Sequence, residues 1–178
     1  MKNAWNDFVR PILVLGVICL VASALLAGTN GLTAPIIQAN TERTANANRT
    51  ELLPEADTFT QVECSVEGVT EAYAADNGAG YVITAAAKGY GGDVPVMVAF
   101  DDAGTIVAVK FLDNDETPGL GQKVKNEDFS GQFAGLAAQA LTLADIDAIS
   151  GATISSRAAV NGINSAVEAY QQISGKEA

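Results

Sequence analysis

The chain of 178 residues carries 21 acidic and 10 basic side chains, no histidine and two cysteines, for a formal charge of −11 and an isoelectric point near 4.2. Without histidine there is no Ser-His-Asp triad, no His-ligated zinc or haem and no Cys-His nucleophile, and two thiolates are too few for an iron–sulfur cluster. The acidic balance lacks the basic face that nucleic-acid binding needs, so any redox or transfer chemistry must borrow its reactive atoms.

No charge stands between Arg10 and Glu42. Within that gap Pro11 to Ala27 reads PILVLGVICLVASALLA, polar only at Ser23. This run reaches the short end of the roughly 17–25 residues a helix needs to cross a bilayer. Flanking residues extend it to 11–32, Arg10 can snorkel, and Trp5 and Phe8 suit the interface. The competing reading is a cleaved signal peptide with small residues at Ala22-Ser23-Ala24. Ile18 ahead of Cys19 does not suit lipoprotein processing. Lys2, Arg10 and the terminal amine outweigh Asp7, which predicts a cytoplasmic segment 1–10 and an exterior location for the rest. The location expected is therefore the bacterial inner membrane, with the bilayer as a partner. All acidic residues but Asp7 lie beyond Thr41, so the exterior part should stand off anionic lipid. Cys19 lies in the apolar run and Cys64 outside it, which argues against a bridge between them.

The segment 33–56, polar and Ala-rich, reads as a helical stalk with Pro35 near its start and Pro54 at its end. Short strands follow at Phe59–Cys64, Thr70–Ala74, Gly80–Ala87, Val94–Phe100 and Thr105–Phe111, the last two joined as a hairpin through Asp101–Gly104. Small helices are expected near Gln122–Asn126 and Phe133–Gln139. The clearest helix closes the chain, with Val160, Ile163, Val167, Tyr170 and Ile173 on one apolar face. Ser155 or Ser156 can cap its first turn, and Gly175 lies just past its end. Strands followed by helices, without βαβ alternation, predict an α+β fold: one transmembrane helix, then a single exterior domain over 57–178.

Rossmann and P-loop fingerprints are absent: Gly78-Ala79-Gly80 lacks its third glycine, no helix pattern follows Gly89–Gly92, and Gly175-Lys176 lacks the upstream glycine. Two other stretches stand out. In Asp147-Ala148-Ile149-Ser150-Gly151-Ala152-Thr153 the small residues let a group approach the backbone, and the helix that follows offers free N–H groups to a phosphate. Read plainly, the same stretch is a loop with Thr153 or Ser155 as N-cap. In Asp115-Glu116-Thr117-Pro118-Gly119-Leu120-Gly121-Gln122-Lys123 the proline and glycines set sharp angles, and exposed amides or Lys123 could hold an anionic or ring ligand. The plain reading is a turn. Calcium ligation by Asp113, Asp115 and Glu116 fails the EF-hand pattern, because Pro118 stands where glycine is required.

Together the two stretches resemble the FMN-binding domain family found in the G subunit of the Rnf electron-transport complex and the C subunit of the sodium-pumping NADH:quinone reductase. The family's flavinylation motif, Asp-x-x-Ser-Gly-Ala-Thr, stands complete at Asp147, Ser150, Gly151, Ala152 and Thr153, and its Glu-Thr-Pro-Gly-Leu-Gly at Glu116 to Gly121, with Lys123 beyond. Lys88-Gly89-Tyr90-Gly91-Gly92 is similar to its glycine-rich strand end. The resemblance implies one FMN per chain, joined to Thr153 through a phosphoester by a dedicated flavin transferase. It implies that the ring reaches towards Glu116, Thr117, Gly119, Leu120 and Gly121, with Thr117 and backbone amides at its heteroatoms and Leu120 on its face. It also implies that the chain is one subunit of a membrane complex that passes electrons between ferredoxin and NAD and couples this to cation movement. Overall length favours the Rnf member of the family.

A threonine hydroxyl needs an external base or metal to act as a nucleophile. With no histidine in the chain, self-attachment is implausible and a separate transferase is implied. Lys123 is expected either to stabilise negative charge on the reduced ring or to pair with the phosphate. The expected role is an electron carrier within an assembly rather than an enzyme working alone. Two rival readings stand beside it: a stand-alone membrane-tethered flavoprotein reductase, and a non-redox exterior scaffold in which Ser-Gly-Ala-Thr is only a helix cap.

Overall fold

The computed structural model describes residues 9–175. Lys2, Trp5, Asp7, Phe8 and Lys176, named above, lie outside the described residues. Helix α1 runs over Arg10–Leu52 with Pro35 inside it, so no break separates the apolar run from the polar stretch that follows. Proline removes one backbone donor, and the rest of the ladder carries the helix past it. Thr29, Thr33 and Thr41 each donate a side-chain hydrogen bond to the carbonyl four residues earlier. The helix is long and apolar enough to cross a membrane. Residues up to Asn46 form one compact unit and those from Ala47 a second.

In the second unit five strands form an antiparallel meander ordered β1 to β5: Phe59–Gln61, Val69–Ala75, Gly80–Lys88, Asp93–Asp101 and Ile106–Phe111. The last helices are α2, a single turn at Glu127–Ser130, and α3, Thr153–Ser174. Side chains alternate across a strand, so one face of β4 presents Val96, Val98 and Phe100 and the other Met97 and Ala99. The first face packs on Ala159, Ile163, Val167 and Tyr170 of α3. The second is covered by Leu52, Leu53 and Ala56, the end of α1 and the turn beyond it. Arg49, 3% exposed, fixes that end: its guanidinium pairs with Glu71 at 2.7 Å and lies 3.6 Å over the Tyr73 ring. The domain is therefore α+β, with an antiparallel sheet packed on α3 by one face and capped on the other by the last turn of α1 and the turn beyond it.

Three expectations are corrected. The strand expected to Cys64 stops at Gln61, with only the Val62 N–H continuing to the Ala72 carbonyl (2.8 Å). The helix expected over 133–139 is absent. Gly135 takes a φ of 84°, and the chain lies along the outer edge of β5, exchanging hydrogen bonds between Ile106 and both Gly135 and Leu136 (2.8 Å each). Covering that edge satisfies backbone groups that a helix would have left unpaired. The helix near Gln122–Asn126 is a short 3-10 stretch, Gly121–Lys125.

Candidate functional site

Three segments distant in sequence meet at the start of α3: the turn Gly89–Gly92 between β3 and β4, the loop Glu116–Gly121 after β5, and Gly151–Ser155. They surround a cavity of about 480 Å³, within the range of small-ligand sites. In the loop, Pro118 and Gly119 (φ 75°) make a turn in which the Leu120 N–H donates to the Thr117 carbonyl at 3.1 Å. Gly151, at φ 78°, turns the chain into α3, and a side chain there would press on Leu120 Cδ1 at 3.3 Å.

Glu116 joins all three segments. It is 1% exposed, and its Oε1 accepts hydrogen bonds from the N–H groups of Tyr90 (2.8 Å) and Gly91 (2.9 Å). Its Oε2 accepts from the Ser155 hydroxyl. Gly121 leaves the room: a Cβ there would stand 2.5 Å from Glu116 Oε2 and 2.6 Å from Ser155 Oγ. Burial pushes this carboxyl's pKa upward, but the Ser155 hydroxyl and the amides of Gly91, Tyr90 and Gly92 outweigh it and hold the pKa below the ordinary value. A depressed native pKa means the unfolded chain binds more protons at acid pH. The contribution is full above the unfolded carboxyl pKa and lost as pH falls through the folded one. Stability of the wild type should therefore decline over that window, and Glu116→Gln should show a shallower decline in acid unfolding followed by circular dichroism. Equal slopes would refute the assignment.

The serines do not cap α3 as expected. Its N-cap is Ala152, with no side-chain bond to the first turn. Ser155 and Ser156 lie inside the helix, too late to reach its first N–H groups, and each has other partners. Ser155 bonds Glu116, while Ser156 Oγ accepts from the Ile149 N–H (3.0 Å) and donates to the Ala152 carbonyl (3.1 Å). The helix start thus keeps free backbone donors and a positive dipole end beside exposed Thr153.

The cavity gathers Glu116, Thr117, Leu120 and Gly121 with Gly151, Ala152 and Thr153. Lys123 and Asp147 line a different groove of about 470 Å³ with Asn126, Phe129 and Ile149. There the Gln132 side chain holds Asp147 through its backbone, accepting from the N–H at 2.6 Å and donating to the carbonyl at 3.4 Å. Gly119 and Ser150 are exposed and line neither space. Sequence reasoning passed over three lining residues: Tyr90, 73% exposed, Ile154, 52% exposed, and Ser155 as a partner of Glu116. Tyr90 carried a signal, as the only large side chain inside a glycine cluster; Ile154 carried none.

An FMN-binding domain matches residues 89–168. The chain is 32% identical over 171 residues to the G subunit of the proton-translocating ferredoxin:NAD(+) oxidoreductase complex of Clostridium ljungdahlii, covering 90% of each chain. It is also 32% identical to the Na(+)-translocating counterpart of Acetobacterium woodii, covering 96% of this chain and 95% of that one. Among solved structures, the C subunit of the Na(+)-translocating NADH-quinone reductase from Parabacteroides distasonis superposes with a TM-score of 0.51 at 23% identity. That match covers 62% of this chain and 63% of the other, just under two thirds of its length, and shows a shared fold.

Proposed function

This chain belongs to the family of G subunits of ion-translocating oxidoreductase complexes, and from that premise we propose that it is an electron-transfer subunit carrying FMN covalently on Thr153. The observation that carries the reading is the setting of that hydroxyl. Among the described residues beyond Ala47 the large apolar side chains left exposed are Tyr90, Leu120, Ile154 and Val107, and all but Val107 line the cavity beside Thr153. Exposed apolar groups gathered beside the Thr153 hydroxyl suit a flat, partly apolar ring tethered there. The uncapped start of α3 suits the phosphate of the tether.

When bound, FMN supplies the electron-transfer chemistry. The chain's own residues supply position. Thr153 would provide the attachment oxygen, the first N–H groups of α3 would be available to the phosphate, and Tyr90, Leu120 and Ile154 would offer apolar contact to the ring. Thr117, exposed at the rim, offers a hydroxyl to ring heteroatoms. Covalent attachment makes retention independent of binding affinity, which suits a domain facing an open volume. A flavin transferase makes the bond in this reading, reading Asp147 and Ser150–Ala152 as well as Thr153. Lys123 lines the neighbouring groove together with Asp147.

The partners are the other subunits of the complex, which in the relatives named above serves ferredoxin and NAD(+). α1 spans the inner membrane in this reading, with the N-terminus cytoplasmic and the domain from Ala47 outside. The test is intact mass spectrometry of the chain purified from its native host. We expect the mass of the polypeptide plus one FMN less one water; the bare polypeptide mass would overturn the covalent reading.

A further inference from the structure

Among the described residues Glu116 is the only buried acidic side chain, and its position calls for a reason. Its oxygens are occupied from within, by two backbone N–H groups and the Ser155 hydroxyl, so it has little capacity left for a ligand. As a clip it fixes the Tyr90 turn and the Glu116–Gly121 loop against the start of α3, and so sets where Tyr90 and Leu120 stand relative to Thr153. Geometry alone does not require a charge. A glutamine could accept the same two N–H bonds with its oxygen and turn its amide toward Ser155, without the cost of burying an anion. Among the described residues no cation pairs with this carboxylate; its bonds are to neutral groups.

Resting on the flavin reading above, we propose that Glu116 is a positioning residue whose fixed negative charge, in the wall of the Thr153 cavity, holds down the reduction potential of the attached flavin. Reduction brings electrons to the ring, and any negative charge not neutralised by a proton is repelled by the carboxylate across a poorly screening interior. The Ser155 hydroxyl offsets part of that charge. Removing the charge and removing its compensation should therefore move the potential in opposite directions. A role confined to holding the loops together would move both the same way or not at all.

The experiment is spectroelectrochemical titration of the full-length flavin-loaded protein in detergent, with loading first established by fluorescence of the denatured band. Glu116→Gln should raise the midpoint, increasing the reduced-to-oxidised ratio at fixed potential by at least about tenfold, the factor that one charge about 12 Å away gives at an effective dielectric near 20. Ser155→Ala should lower it by a smaller factor. Slow amide exchange at Tyr90 and Gly91 in the flavin-free Gln variant reports, without any redox readout, that the clip persists. Shifts of the same sign, or none, in loaded protein overturn the proposal. Should Glu116→Gln not accumulate folded, an unchanged or raised potential in Ser155→Ala overturns it alone. A wild-type chain without flavin overturns the underlying reading as well, and is recognised before any titration begins.

Discussion

Exchanging Thr153 for alanine leaves a chain that runs dark on a denaturing gel under ultraviolet light, while the wild type from a transferase-containing host glows. The effect should be complete, because it removes the only oxygen through which the tether is made. It should also be free of a folding artefact. Thr153 is exposed, no described residue receives or gives a side-chain hydrogen bond there, and alanine favours the first turn of a helix at least as well. A surface change of this kind alters stability by no more than about 0.5 kcal/mol. Thr153→Ser, which keeps the hydroxyl, should retain some fluorescence. A Thr153→Ala band as bright as wild type would place the flavin elsewhere and remove the basis of the proposed function.

The largest effect on stability is expected at Phe100, far from the hydroxyl. Its ring is fully buried and stacks on Tyr170 of α3 at 4.9 Å between centroids, with Tyr81 meeting Tyr170 edge-on at 5.5 Å. The Tyr170 hydroxyl donates to the Asp102 carbonyl at 3.3 Å, so this cluster fastens the C-terminal half of α3 to the β4–β5 hairpin. Phe100→Ala should cost about 3–5 kcal/mol, from lost burial and the cavity left behind. Set against the roughly 5–15 kcal/mol typical of a domain, that is a large fraction. Urea unfolding of the domain should show a lowered midpoint at a similar slope, and a loss under about 1 kcal/mol would mean that the two layers are fastened elsewhere.

The strands were legible because each run of β-formers is closed by a local signal. Asp76-Asn77-Gly78 and Asp101-Asp102-Ala103-Gly104 mark the turns flanking β3 and β4, and the continuous apolar run Val94–Phe100 anticipates a strand buried on both faces. What escaped was decided at a distance. The segment after Phe133 has a helix-like composition, but Gly135 and the open edge of β5 draw it into pairing with a strand some thirty residues earlier. Ser155 sits where a cap is plausible, yet its partner is Glu116, 39 residues away, and no local rule finds such a pair. Glu116 and Lys123, close in the chain, line different spaces: Glu116 opens the loop, while Lys123 lies within the 3-10 stretch Gly121–Lys125 that follows it. Sequence motifs thus named segments that the fold brings to one cavity, while the sides of the loops came only from the fold.

The end of α1 carries a practical lesson about where the molecule can be cut. Leu52, Leu53 and Ala56 roof the face of the sheet formed by Val82, Met97 and Ala99, and Arg49 latches them to Glu71 and Tyr73. The leash is therefore also part of the lid. A water-soluble fragment started at Ala47 should stay monomeric on size-exclusion chromatography. One started at Glu55 would bare an oily patch and clump, and equal behaviour of the two fragments would show that the roof is dispensable.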